Sequence, residues 1–532
     1  MRPILAVTAK RAVRPGLLWG LVFGSTVAST LATYHTTFPT PAARANLART
    51  IEGNAAFEAV FGLVRRLDTV RGYTEYKTLL TLMILGAVWG LLISTRVLRG
   101  EEDAGRWELL LAGLTTRADA ARQAVVGLGA GLAALWVPTV VITIAAGHAS
   151  TVGVGAGSAV FYATAAVATA AMFMALGALA SQLAATRHGA NLAGAGAIAG
   201  AYLVRMAADS DPRIGWLRWA SPFGWIEELR PLTGARWFAF VPIVALTAAA
   251  AVAAVRIASR RDLGAGALRI RDVGRSHTRL VGGQAGLTVR LTRSTVIAWL
   301  VALATTGLIF GLVTQAAGRS LQGSPTLARV IARAGATKAG AVTYLGFVFL
   351  IAAGLIAVAA AGQVAAIRSE EASGMLDNLV ARPVARWRWL AGRVGVGLGL
   401  AVVGGVLAGV AAWAGAATQH AAVGFSDLVV AGVNIAPPAV FVLGVGVLAY
   451  GLQPRVATGA AYGLVVWSFL VETIALVTPS SHWLRDTSPL LHIAPAPAAE
   501  PNWTAAAWLV GLGLAAAGLG IAAFSGRDLL TA

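Results

Sequence analysis

The sequence predicts an all-α integral membrane protein with twelve transmembrane helices, arranged as two parallel six-helix repeats. Three observations carry this. The 532 residues are 57% hydrophobic and only 12% charged, about half the charge of a soluble chain. The apolar residues fall in long blocks. The charged residues that interrupt those blocks recur at a fixed interval.

The blocks run over roughly 16–34, 78–97, 124–146, 157–181, 189–206, 238–256, 294–315, 341–366, 394–416, 428–451, 457–478 and 504–524. A hydrocarbon core about 30 Å thick needs about 20 apolar residues per helix, which each block comes close to or exceeds. Alanine and glycine are abundant in them, and small residues let membrane helices pack closely. None shows the apolar/polar alternation of a transmembrane β-barrel. The first block is not followed by a small-residue cleavage site, so it is expected to be a retained helix rather than a removed leader.

The chain has no cysteine, which removes disulfides, thiolate metal sites and cysteine nucleophiles. Its net charge of +19 suits nucleic acid less well than short basic loops on the cytoplasmic side of a membrane. With both termini placed inside, 26 of the 42 Lys and Arg lie on that side, including the dense run from Arg256 to Arg293. The expected orientation is therefore N-in and C-in.

A shift of 269 residues superposes Arg99 on Arg368, Glu101 and Glu102 on Glu370 and Glu371, Gly105 on Gly374, Glu108 on Asp377 and Arg117 on Arg386. At nearly the same shift, "WLRWASP" from Trp216 meets "WLRDTSP" from Trp483, and "RDL" at Arg261 meets "RDL" at Arg527. Matches in Glu, Arg, Trp and Pro are poorly explained by shared Ala/Gly/Leu composition, so a tandem duplication is expected. An even number of spans per copy makes the repeats parallel, with a pathway along the axis between them. The expected organisation is residues 1–256 as the first half, 257–293 as a basic connecting segment and 294–532 as the second half.

As a helix, the repeated cluster places Glu101, Gly105, Glu108 and Ala112 on one face, and Glu370, Gly374, Asp377 and Ala381 repeat it. Gly100 and Ser369 would be N-caps. A glycine inside a helix costs about 1 kcal/mol relative to alanine, so one at the same place in both copies suggests a close contact. A simple interfacial helix is the plain alternative. The acidic doublet argues against it, because the inner membrane surface is negative.

The pattern R-x-E-E-x-x-G-x-x-E/D-x-L-x-A-x-x-x-x-R after the second span of a six-span unit resembles ATP-binding-cassette exporter permeases. The doubled chain is similar to permeases of the tetronasin and polyketide-antibiotic export type. That resemblance implies a short coupling helix in each half that docks on a separate ATPase. The role would fall on Glu101, Glu102, Gly105, Glu108 and Arg117, and on Glu370, Glu371, Gly374, Asp377 and Arg386. Asp377 and Pro383 depart from the first copy, so unequal docking is implied. The resemblance also implies short outer helices within Ser221–Trp237 and Ser488–Trp503, segments whose Trp and Pro suit interfacial anchors equally well.

A P-loop needs G-x-x-x-x-G-K-[ST]. The three lysines, Lys10, Lys77 and Lys338, follow Ala, Tyr and Thr. ATP and Mg are therefore expected on two copies of a partner P-loop ATPase, with no cofactor on this chain. The other expected partners are the bilayer and an amphiphilic drug or antibiotic, with no nucleic acid. The seven histidines show no metal-ligand spacing. Glu472, in "WSFLVETIALV", is an ionisable group within a span and a candidate for the substrate pathway; pairing with Arg485 or water near the outer end is the plain alternative. Arg205 raises the same question. The competing function is a proton-coupled secondary multidrug transporter with Glu472 as its proton site.

Overall fold

The computed structural model describes the chain apart from residues 1–2, 53–57, 59–60, 112, 114, 149–151, 211, 269–282, 323–339, 373, 375, 377–384, 478–485 and 529–532. Among the described residues every regular element is a helix. Eleven helices among the described residues are long and apolar enough to cross a membrane. They account for every predicted block but the fifth. That block forms a 24-residue helix, Arg187–Ser210, whose Asn191 and Arg205 leave it less apolar than the others. The chain folds as two compact units, Met1–Val273 and Gly274–Ala532.

In the first unit, α1 spans Pro3–Thr37, α2 Pro41–Ile51 and α3 Val70–Val97. Two short helices follow, α4 (Arg99–Asp103) and α5 (Arg106–Leu111). Then come α6 (Arg117–Gly147), α7 (Ala156–Leu183), α8 (Arg187–Ser210), α9 (Pro222–Leu229) and α10 (Phe240–Arg260). The closest packing is α1 along α6, α3 along α7, and α10 against α7. Small residues make these approaches possible. A Cβ on Gly20 would collide with the Leu135 carbonyl, and one on Gly131 with Ala12. Without a hydrophobic drive between helices in lipid, such close packing is the main source of cohesion.

The second unit repeats this order with α11 (Gln284–Gln322), α12 (Ala341–Ala372), α13 (Arg386–Thr418), α14 (Phe425–Asn434), α15 (Ala436–Leu452), α16 (Pro454–Val477) and α17 (Trp503–Gly526). Again the first span packs on the third (α11 on α13) and the fourth on the second and sixth (α15 on α12 and α17). The tenth predicted block is broken at Ile435, between α14 and α15, with Pro437 and Pro438 opening α15. Gly444 and Gly451 of α15 lie directly against Gly513 and Gly520 of α17.

The segment between the fifth and sixth spans differs between the units. In the first, Ser221 caps α9, and Phe223, Ile226 and Leu229 are fully buried, so α9 is tucked into the fold rather than lying on an interface. In the second, the corresponding Ser488–Trp503 stretch holds only a short 3-10 turn, Pro489–His492. Within the basic connecting segment, α10 continues to Arg260 and α11 begins at Gln284.

Candidate coupling site

The repeated charge cluster is built differently from the expected single helix. The second span runs almost straight into it. Leu98 separates α3 from α4, and α12 continues without interruption through Ser369 to Ala372. Gly100 and Ser369 therefore lie within helix and are not N-caps. Gly105 and Gly374 adopt positive φ, +71° and +69°. Their amides donate to the carbonyls of Glu102 and Glu371 at 2.9 and 3.0 Å. These glycines end one helix by a left-handed residue, which glycine adopts at little cost. A side chain on Gly105 would meet nothing within 4 Å. Backbone conformation, not close contact, accounts for glycine there. Because the turn interrupts the helix, Glu101 and Glu108 do not share one continuous helical face.

The second glutamate of each pair faces inward. Glu102 is nearly buried, its carboxylate held by Arg261 at 2.7 Å, by Arg99 at 3.3 Å and by the Gly264 amide at 2.8 Å. Arg261 also donates to Gln182 at 2.7 Å. Arg99 is fully buried and donates to the carbonyls of Gly264 and Ala265. Arg117 donates to the Arg261 carbonyl at 2.7 Å. In the second unit Glu371 is clamped by both terminal nitrogens of Arg527 at 2.8 Å, and Arg386 donates to the Arg527 carbonyl at 2.9 Å. Arg527 stacks on Tyr450 and Phe524 at 5.0 and 5.1 Å.

Each unit thus contains the same three-part staple. A glutamate at the end of the second span pairs with an arginine after the sixth. The arginine that opens the third holds the latter's carbonyl. The geometry is charge-assisted and nearly dry, where such bonds are strong. Arg261 and Arg527 were visible in the sequence only as a repeated "RDL". Their pairing with Glu102 and Glu371 needed the fold.

The first glutamates diverge. Glu101 pairs with Arg11 of α1 and with Arg106 at 2.6 Å. Glu370 pairs with the buried Arg393 of α13 at 3.2 Å, where the first unit has Ala124. Inequality between the units is thus found at Glu101 and Glu370; Asp377 and Pro383, where it was expected, lie outside the described residues. Trp107 of α5 is buried, whereas Glu108 and Leu109 point outward, Leu109 with 79% exposure. Glu472 falls within α16, and its side chain lies outside the described residues.

A second charged assembly, foreseen only through Arg205, lies in the first unit around α9. Arg205 is fully buried, 2.8 Å from Glu227 and 3.5 Å from Asp209, and it stacks on Tyr202. Arg218 holds Asp209 at 2.6 Å, while Arg230 and Arg236 hold Glu228 at 3.2 and 2.7 Å. Glu75 accepts from the Leu232 amide at 2.7 Å and from Thr233. Burial, followed by the neighbouring Glu227 carboxylate, pushes Asp209 up to about 8. The signal available in sequence was the i,i+4 spacing of Arg205 and Asp209. The second unit has Ala494 and Pro495 where the first has Glu227 and Glu228, so this assembly has no copy. In the same unit, Gly129, Trp136, Thr164, Ala168, Phe240 and Thr247 line an almost wholly apolar cleft of about 550 Å³ between α6, α7 and α10.

These features define a polytopic, all-helical membrane protein with short charged turns stapled to the ends of its spans. The family model described as "Multidrug efflux system permease Rv1217c, C-terminal domain" matches residues 14–257 and 281–525, and the chain belongs to that family. It is 27% identical over 518 residues to the multidrug efflux system permease protein Rv1217c of Mycobacterium tuberculosis, covering 96% of this chain and 92% of the relative.

Proposed function

We propose that this chain is the membrane subunit of an ATP-driven exporter of amphiphilic drugs or antibiotics, of the ATP-binding-cassette type. Two copies of a separate P-loop ATPase dock on the α4–α5 turn and on its counterpart after α12, and they bind the ATP and Mg. The protein lies in the cell membrane with both termini in the cytoplasm. The observation that carries the reading is the staple in each unit. It ties the candidate docking turn to the second, third and sixth spans at once. A push on the turn is then delivered to three spans of its unit as a rigid displacement. The absence of a P-loop lysine in the sequence supports placing ATP hydrolysis elsewhere. An apolar cleft of about 550 Å³ falls in the usual range for a drug-sized ligand.

The staple also changes which residues should be tested. Reversing Glu102 or Glu371 would break an internal ion pair, so a loss of activity there says nothing about docking. The docking claim is tested by E108R together with L109D, both on exposed side chains. Co-purification of an ATPase encoded beside this chain, and its stimulation by the chain in proteoliposomes, should be lost in that variant while the melting temperature holds. Transport that survives ATP depletion but collapses with an uncoupler would overturn the reading in favour of proton coupling.

A further inference from the structure

At the polar end of α1, a cavity of about 550 Å³ opens between α1, α3 and α5. Five cations line it, Lys10, Arg11, Arg14, Arg96 and Arg106, against one carboxylate, Glu101. The lining therefore carries five positive charges and one negative, a surplus of four. Arg11 and Arg106 are occupied by Glu101. Lys10, Arg14 and Arg96 are exposed, and none forms an ion pair with a carboxylate among the described residues. Like charges gathered in one concavity repel, and the arrangement is relieved when an anion enters. The remaining wall is apolar, formed by Pro15, Ile93 and Val97, which continue into the spans of α1 and α3.

We propose that this cavity is a phosphate-binding site. Arginine forks recognise phosphate oxygens in pairs, and basic pockets at the ends of membrane helices take anionic lipid headgroups. The apolar wall favours a phosphodiester that carries an acyl chain, with the chain lying along Pro15, Ile93 and Val97. Free phosphate shares the recognition chemistry without using that wall. The site belongs to the first unit alone. At the 269-residue shift only Lys10 meets a cation, Arg279, whereas Arg11, Arg14, Arg96 and Arg106 meet Leu280, Gly283, Ala365 and Met375, so four of the five cations have no counterpart. The inference does not depend on the transport reading, because it concerns charge and shape at one helix end.

The test uses the delipidated full chain in detergent, titrated with phosphatidylglycerol, phosphatidylcholine and inorganic phosphate and read by native mass spectrometry. The variant is R14Q/R96Q, which leaves the Glu101 pairs intact. The control is R290Q/R293Q at the start of α11. Phosphatidylglycerol should bind in preference to phosphatidylcholine and weaken roughly 30-fold in R14Q/R96Q, at about fivefold per arginine. The control should bind like the wild type. If inorganic phosphate binds with the same arginine dependence and phosphatidylglycerol does not, the occupant is a free anion and the site stands. Equal affinity for both lipids, or equal binding by R14Q/R96Q and the wild type at an unchanged melting temperature, overturns the proposal. So does the failure of both phosphatidylglycerol and inorganic phosphate to bind.

Discussion

Replacing Arg527 by methionine tests the staple at its driest point. The Glu371 side chain is 1% exposed and its two oxygens each accept from Arg527 at 2.8 Å. R527M takes the guanidinium away from that buried carboxylate, and removing one member of a buried ion pair costs about 3–5 kcal/mol. The unit has roughly 260 residues, for which about 1 kcal/mol moves the melting temperature by about 2 °C. The variant should therefore melt about 6–10 °C lower in detergent. E371M strands the cation instead, but Arg527 is 15% exposed and stacks on Tyr450 and Phe524, so its cost should be smaller. The double variant R527M/E371M removes both charges and should recover most of the loss, since an apolar pair of similar volume is often as stable as a buried ion pair. The cycle of four melts gives the coupling directly. If R527M shifts the melt by less than about 2 °C, or if the two single losses simply add in the double variant, the pair is not what holds the turn to the last span.

Four further outcomes are expected. G105V should destabilise the first unit by at least about 1 kcal/mol and G105N by less, because the site demands positive φ but is sterically open; thermal melts of the two variants decide it. G444A should be poorly tolerated, since its methyl would run into the Gly513 carbonyl, whereas G459A, with open space around it, should be neutral. Burial beside the Glu227 carboxylate makes the folded chain hold the Asp209 proton to higher pH than the unfolded one, so its contribution falls as pH rises above the ordinary carboxylate range near 4. Melting of the wild type at pH 5 and 8 should show that slope, and D209N should flatten it. Finally, E108R/L109D should abolish ATPase stimulation at an unchanged melting temperature.

Much of the architecture was legible in the primary structure because lipid imposes a simple rule. Each crossing must satisfy its own backbone and present about 20 apolar residues, so the spans announce themselves as blocks. The fifth block is instructive. Arg205 looked like an isolated charge near a span end, yet it sits inside an assembly of residues from α3, α8, α9 and the 3-10 helix Pro212–Ala220 between the last two. It pairs with Glu227, and in the same assembly Glu75 accepts from the Leu232 amide 157 residues along the chain; no local pattern reveals such a convergence. The acidic doublet is instructive in the opposite sense. Its recurrence at 269 residues was plain, but both glutamates were read as facing a partner. The fold turns Glu102 and Glu371 inward and leaves Glu108 and Leu109 as the outward surface.

By itself the sequence determined that this is a duplicated, all-helical membrane protein. It also located the repeated turns, because hydropathy and repetition are properties of the chain alone. The tertiary structure decided which way each charge faces. A carboxylate and a guanidinium are paired or free according to what lies within about 4 Å, and that distance is set by the packing of spans far apart in sequence. In the first unit the left-handed glycine then separates the cluster into an inward staple and an outward surface. The same packing gathered five cations from three helices around one cavity, which no single stretch of the chain contains.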